Sequence, residues 1–143
     1  MKRLLLSLVV PCVLGVSAAH AETTTPVINI RLDHGAVWKT NYRQTTTEGF
    51  LQIHNDGTTD DTLTSWSCPN ATSTKLMAPD GKVLEKLVIP AGRVVTLAPG
   101  GMYLALSGLH YPVERGSIMP CAFDFAQAGQ IGGFLNEVKR PKK

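Results

Sequence analysis

The chain has 143 residues, 43% of them hydrophobic and only 17% charged, with a formal net charge of +3. Such an apolar fraction at the length of one domain excludes a mainly disordered, acidic or collagen-like chain. Three cysteines and four histidines raise a metal reading, and the basic excess raises a nucleic-acid or membrane reading.

In chain order, the first element is an export signal over residues 1–21. Met1-Lys2-Arg3 is a basic start, and residues 4–16 are apolar apart from Ser7, Pro11, Cys12 and Gly15. Ala19-His20-Ala21 has the small-x-small form that signal peptidase needs. The run is shorter than the ~20 apolar residues of a bilayer span. Cys12 is not preceded by the small residues of a lipoprotein cleavage site and is not read as a lipid anchor. Cleavage after Ala21 is expected to leave a periplasmic protein with no stable membrane insertion.

Processing leaves 12 basic against 11 acidic residues, two cysteines and three histidines. Four of the basic residues lie in the tail at 139–143, so residues 22–138 hold 8 basic against 11 acidic. No basic run survives to screen phosphates, which argues against nucleic acid as a partner. The tail reads as a solvated end.

The rest reads as strands near 27–32, 49–55, 62–67, 72–77, 83–88, 93–98, 102–107, 117–125 and 130–138. Asn55-Asp56-Gly57, Asp80-Gly81, Pro90-Ala91-Gly92 and Pro99-Gly100-Gly101 supply turn chemistry between them. Turn signals about 8–12 residues apart favour an all-β sandwich or barrel. No window has a helical period, and no linker divides the chain. One β domain over 22–138 is expected, followed by the short basic tail.

Alternation assigns faces. Met102, Leu104 and Leu106 point inward, and Tyr103, Ala105 and Ser107 point the other way. Met119, Cys121, Phe123 and Phe125 share a core-facing stripe. Cys68 and Cys121 then admit three readings. An oxidising compartment favours a disulfide, which would restrict the unfolded chain by roughly 4 kcal/mol. Buried free thiols and a soft-metal thiolate site are the alternatives.

Other chemistry is thin. There is no Gly-x-Ser-x-Gly, phosphate loop, His-Glu-x-x-His or Cys-x-x-Cys, so no enzyme is indicated. His34, His54 and His110 are scattered beside turn residues. Asp60 and Asp61, neighbours on an extended segment, point apart. Asn70-Ala71-Thr72 fits the glycosylation acceptor pattern, a frequent chance match.

Several strings together carry more information. Residues 49–57 (Gly-Phe-Leu-Gln-Ile-His-Asn-Asp-Gly), Asp61-Thr62-Leu63, Ser67-Cys68-Pro69 and Ile89-Pro90-Ala91-Gly92 resemble PCu(A)C-type periplasmic copper chaperones. Val95-Thr96-Leu97, Pro99-Gly100-Gly101, Leu106-Ser107-Gly108-Leu109 and residues 125–129 continue the match in the family's order. The resemblance implies a cupredoxin-like antiparallel β-sandwich in a single domain. It also implies binding of Cu(I) and delivery toward cytochrome c oxidase, with a copper-accepting or respiratory assembly protein as partner. Histidine and methionine donors suit Cu(I), since thioether sulfur is soft and imidazole borderline.

The family pattern is a His, a later Met, and a His-x-Met beside the Pro-Gly-Gly turn. Here Tyr103 stands at that second histidine and Ala105 at its methionine. Counting from Ser67-Cys68-Pro69 places Met77 at the first histidine, whereas counting back from Asp80-Gly81 places Thr74 there. Met77 is thus the candidate ligand that the resemblance leaves. Two readings stay open: a copper protein with a site rebuilt from Met77, Met102, His110, Met119 or the cysteines, or a non-metal binding or assembly module on the same framework.

Overall fold

The computed structural model describes residue 15 and residues 19–142. The export signal over 1–21 falls mostly outside the described residues, as does Lys143 at the end of the tail. Ten strands succeed one another: β1 (Ile30–Trp38), β2 (Thr46–Asn55), β3 (Asp61–Ser67), β4 (Ala71–Met77), β5 (Val83–Leu84), β6 (Leu87–Ile89), β7 (Val94–Leu97), β8 (Tyr103–Leu109), β9 (Ile118–Phe125) and β10 (Gly129–Val138). No helix occurs among the described residues.

The strands form one ladder in the order β5-β4-β8-β2-β1-β10-β9-β3-β6, with β7 added to β2. The ladder folds over to make an all-β, cupredoxin-like sandwich. Strand β2 joins the halves: its first residues pair with β8, and Leu51 to His54 pair with β7. Leu135 of β10 and Leu106 of β8 both pack over Gly49, where a Cβ would lie 2.8 Å from the Leu135 side chain. Every pairing is antiparallel except β1 with β10, which runs parallel from Ala36↔Asn136 to Trp38↔Val138.

Burial obeys the alternation read from the sequence. Leu104 and Leu106 are core residues, and Met119, Cys121, Phe123 and Phe125 form the inward stripe of β9. Met102 is partly buried against the same cluster. The predicted strand at 83–88 is two short ones, β5 and β6, separated at Glu85 and Lys86. The first strand starts later than expected and runs on to Trp38. Asp33-His34-Gly35 forms a bulge: the β1–β2 register shifts between Asp33 and Ala36, and His34 takes φ 51°.

Of the three cysteine readings, the disulfide is the one realised. Cys68 and Cys121 are joined at 2.03 Å with Cα atoms 4.2 Å apart, just beyond the Ser67↔Ala122 pair of β3 and β9. Both are buried in the core cluster, so the bond ties the end of β3 to β9 from within the core.

Candidate functional site

The β4–β8 face holds Met77, Tyr103 and Ala105, the positions singled out by the resemblance. Met77 ends β4 opposite Tyr103, and Ala105 sits opposite Lys75 of β4 and Glu48 of β2. Period-2 alternation turns Met77, Lys75, Tyr103 and Ala105 to one side. There a hollow of about 370 Å³ is lined by Tyr103, Ala105, Glu48 and, from the C-terminal tail, Arg140. The Trp38 indole Nε1 donates to Glu48 Oε2 at 3.1 Å, and the Arg140 guanidinium lies 5.9 Å over the Trp38 ring.

Beside Met77, the named residues of this face present no second thioether and no imidazole. A phenol, a methyl and a carboxylate already holding an indole replace soft donors, leaving the Met77 thioether. The Arg140 guanidinium adds positive charge to the hollow, and Lys75 pairs with Ala105 across β4 and β8. The remaining sequence candidates are not gathered either. Met119 is buried in the core and Met102 packs against it, where methionine fills space. His110 is exposed and lines a different hollow, beside Arg43 and Arg115. Cys68 and Cys121 hold no free thiolate. Among the described residues, no group of three or more His, Cys, Asp or Glu side chains is arranged to hold a metal ion.

One cluster escaped the sequence reading. His34 and His54 are not scattered: His34 Nδ1 lies 2.8 Å, and His54 Nε2 2.9 Å, from the same oxygen of Asp33. Arg31 holds the other oxygen of Asp33 and also reaches Asp56. His54 pairs with Arg31 and Asp33 with Gln52, so Asp33 and His54 are diagonal cross-strand neighbours on one face. His34 joins them through the bulge, which turns its ring to the side of its own neighbour. The hydrogen bond from His34, joined by those from His54 and Arg31, holds the Asp33 carboxyl down at about 2 against the opposing effect of burial.

Other marked residues are structural. Asp60 Oδ1 accepts from the Ala91 amide, while Asp61 accepts from Gln127 and Ala128 at 2.9 Å each, so the two carboxylates do point apart. The Asn70 side chain clamps Tyr111, donating to its carbonyl and accepting from its amide. That side-chain amide is therefore engaged within the fold.

The ten-stranded sandwich is of the PCuAC kind, and its β4–β8 face carries Met77, Tyr103 and Ala105. The LpqE-like lipoprotein family model matches residues 16–132, and the chain belongs to that family, in keeping with the PCu(A)C-type resemblance. The structure is similar to the apo PCuAC domain from PmoF1, with TM-score 0.72 and 21% identity, covering 81% of this chain and 100% of that one. It is similar also to the copper-bound PCuAC domain from PmoF2, with TM-score 0.70 and 18% identity over 82% of this chain and 100% of that one. Cu(I)-loaded DR1885 from Deinococcus radiodurans gives TM-score 0.64 and 21% identity over 85% of this chain and 84% of that one. No curated protein matches the chain by sequence.

Proposed function

We propose that the protein is an exported, periplasmic copper-chaperone-like protein with a degenerate family site. It resembles carriers that bind Cu(I) and pass it toward cytochrome c oxidase assembly. The family match over 16–132, on the fold shared with copper-bound PCuAC domains, is the observation that carries this reading. Met77 is the one family-position donor, and its thioether alone cannot hold Cu(I) tightly. Imidazole and carboxylate donors at His34, His54 and Asp33 suit a borderline divalent ion better than Cu(I), and they are engaged with one another.

The second reading, a binding or assembly module that carries no metal, is favoured by the pairing of Met77 with Tyr103 and of Lys75 with Ala105. Titration of the purified exported protein with Cu(I) against a chromogenic chelator separates the two. Stoichiometric uptake supports a carrier. Failure to compete with a weak chelator, with and without thiol reductant, removes the carrier reading and leaves the module.

A further inference from the structure

We propose that the end of the sandwich bearing the C-terminal tail docks on the headgroups of an anionic lipid bilayer. Parallel pairing of β1 with β10 ends at Trp38↔Val138, so the next residues, Lys39 and Lys139, emerge together, with the Lys39 amide donating to the Val138 carbonyl. A groove of about 450 Å³ opens there between Lys39, Lys139, Arg140 and Lys142, with no carboxylate in its wall. A neighbouring hollow of about 740 Å³ shares Lys39 and adds Arg43 and Arg115, with Glu114 as its one carboxylate.

The six cations are half of the twelve basic residues that come after Ala21. The ion pairs among the described residues use Arg31, His34, His54 and Lys82, so among those residues none of the six is neutralised by a carboxylate. Through residue 142, the remainder of the chain after Ala21 holds five basic residues against ten acidic ones besides Glu114. Glu48, bonded to Trp38, and Glu137, bonded to Gly116, also lie near this end, yet six cations outnumber them there, and an anionic plane would orient the protein with this end inward. The described tail residues 139–142 are exposed, and the contact of Arg140 with Trp38 and the strand pairing set them beside Lys39.

Two aromatic rings stand at the same end. Tyr42 is 88% exposed beneath the Arg43 guanidinium, and Tyr111 is 74% exposed. Tyrosine beside lysine and arginine suits the headgroup layer, where an amphipathic ring sits level with the phosphates. Cations spread over two open hollows suit a diffuse anionic surface better than the bidentate geometry of one acidic peptide. Each cation brought to such a surface strengthens attachment about fivefold at moderate salt.

The test is co-sedimentation of the processed protein, recovered from the periplasm of an expression host, with vesicles of equimolar phosphatidylglycerol and phosphatidylcholine. Binding is expected at low salt, and loss at high salt or with phosphatidylcholine alone. The variant carrying Lys39→Gln, Lys139→Gln, Arg140→Gln and Lys142→Gln should partition roughly 600-fold less, with unchanged circular dichroism. A control carrying Lys75→Gln, Lys82→Gln, Lys86→Gln and Arg93→Gln should bind like the parent. The proposal is overturned by no binding to anionic vesicles, by equal loss in the control, or by preference for a polyglutamate peptide, which would mark an acidic protein as the partner.

Discussion

His34 and His54, from β1 and β2, meet on a single carboxylate oxygen of Asp33, at 2.8 and 2.9 Å. Both rings, with Arg31 on the other oxygen, favour the ionised carboxylate. Asp33 is accordingly held down at about 2 from its ordinary value of 3.8. A depressed carboxylate value adds stability that is complete above the unfolded value and disappears as pH falls through the folded one. The protein should therefore lose this contribution between pH 3.8 and about 2. Acid unfolding monitored by circular dichroism should be shallower across that window for Asp33→Asn; parallel curves for parent and variant would refute the linkage.

The bulge that turns His34 toward Asp33 depends on the next residue. A Cβ on Gly35 would lie 1.9 Å from the Phe134 carbonyl oxygen, a backbone atom that cannot move without breaking the β1–β10 contact. Gly35→Ala should cost roughly 2–4 kcal/mol through overpacking at a fixed backbone. Urea unfolding reads the loss. A variant as stable as the parent would mean that β1 and β10 can separate at this point at little cost.

Asn55 is 2% exposed and closes the loop after β2. Its Nδ2 donates to the Thr59 and Ile89 carbonyls at 2.9 Å each, and its Oδ1 accepts from the Gly57 amide. Asn55→Ala strands three buried backbone groups and should cost roughly 2–4 kcal/mol. Asn55→Asp keeps the acceptor but points an oxygen at two carbonyls, so it should be no better. A harmless Asn55→Asp would show that the two donated bonds contribute little.

The Cys68–Cys121 bond spans 53 positions of the chain. Replacing both cysteines with alanine should lower stability by about 4 kcal/mol, chiefly by freeing the unfolded chain. Mass spectrometry after alkylation without reductant should find both sulfurs unlabelled in the parent protein. Label on either cysteine would show that the bond does not contribute to stability.

Local periodicity set the reach of the sequence. Alternation placed Leu104, Leu106, Cys121 and Phe123 correctly because a side-chain period of two survives any long-range pairing. The parallel meeting of β1 with β10 was not legible, since no local pattern distinguishes a parallel partner from an antiparallel one. The same limit hid two clusters, one built by the β1–β2 bulge and one by the β1–β10 pairing. His34 and Asp33 are sequence neighbours that alternation would send apart, and only the bulge brings them together. Lys39 and Lys139 stand 100 positions apart in the chain and become adjacent through strand order alone. The departures at Tyr103 and Ala105 were visible, because turn residues 99–101 fix the register of the strand after them. The approach of Arg140 to that same hollow was not, since the tail offers no period at all.

The last prediction rests on that hollow. Tyr103 and Ala105 lie two apart on β8 and turn to the same side, with Met77 opposite Tyr103. Tyr103→His with Ala105→Met would restore a His-x-Met beside the Pro-Gly-Gly turn and give one imidazole and two thioethers on a single face. Such a set matches the soft preference of Cu(I), so the double variant should take Cu(I) from a chelator that the parent cannot challenge. Adding Arg140→Gln should strengthen uptake again by several-fold, because it removes a fixed positive charge from the wall of the same hollow. If the double variant binds no better than the parent while keeping its circular dichroism, the missing donors are not what separates this chain from a copper carrier. If Arg140→Gln leaves the affinity of the double variant unchanged, the guanidinium does not act on the site, and the tail's contact with Trp38 serves only to position the cationic end.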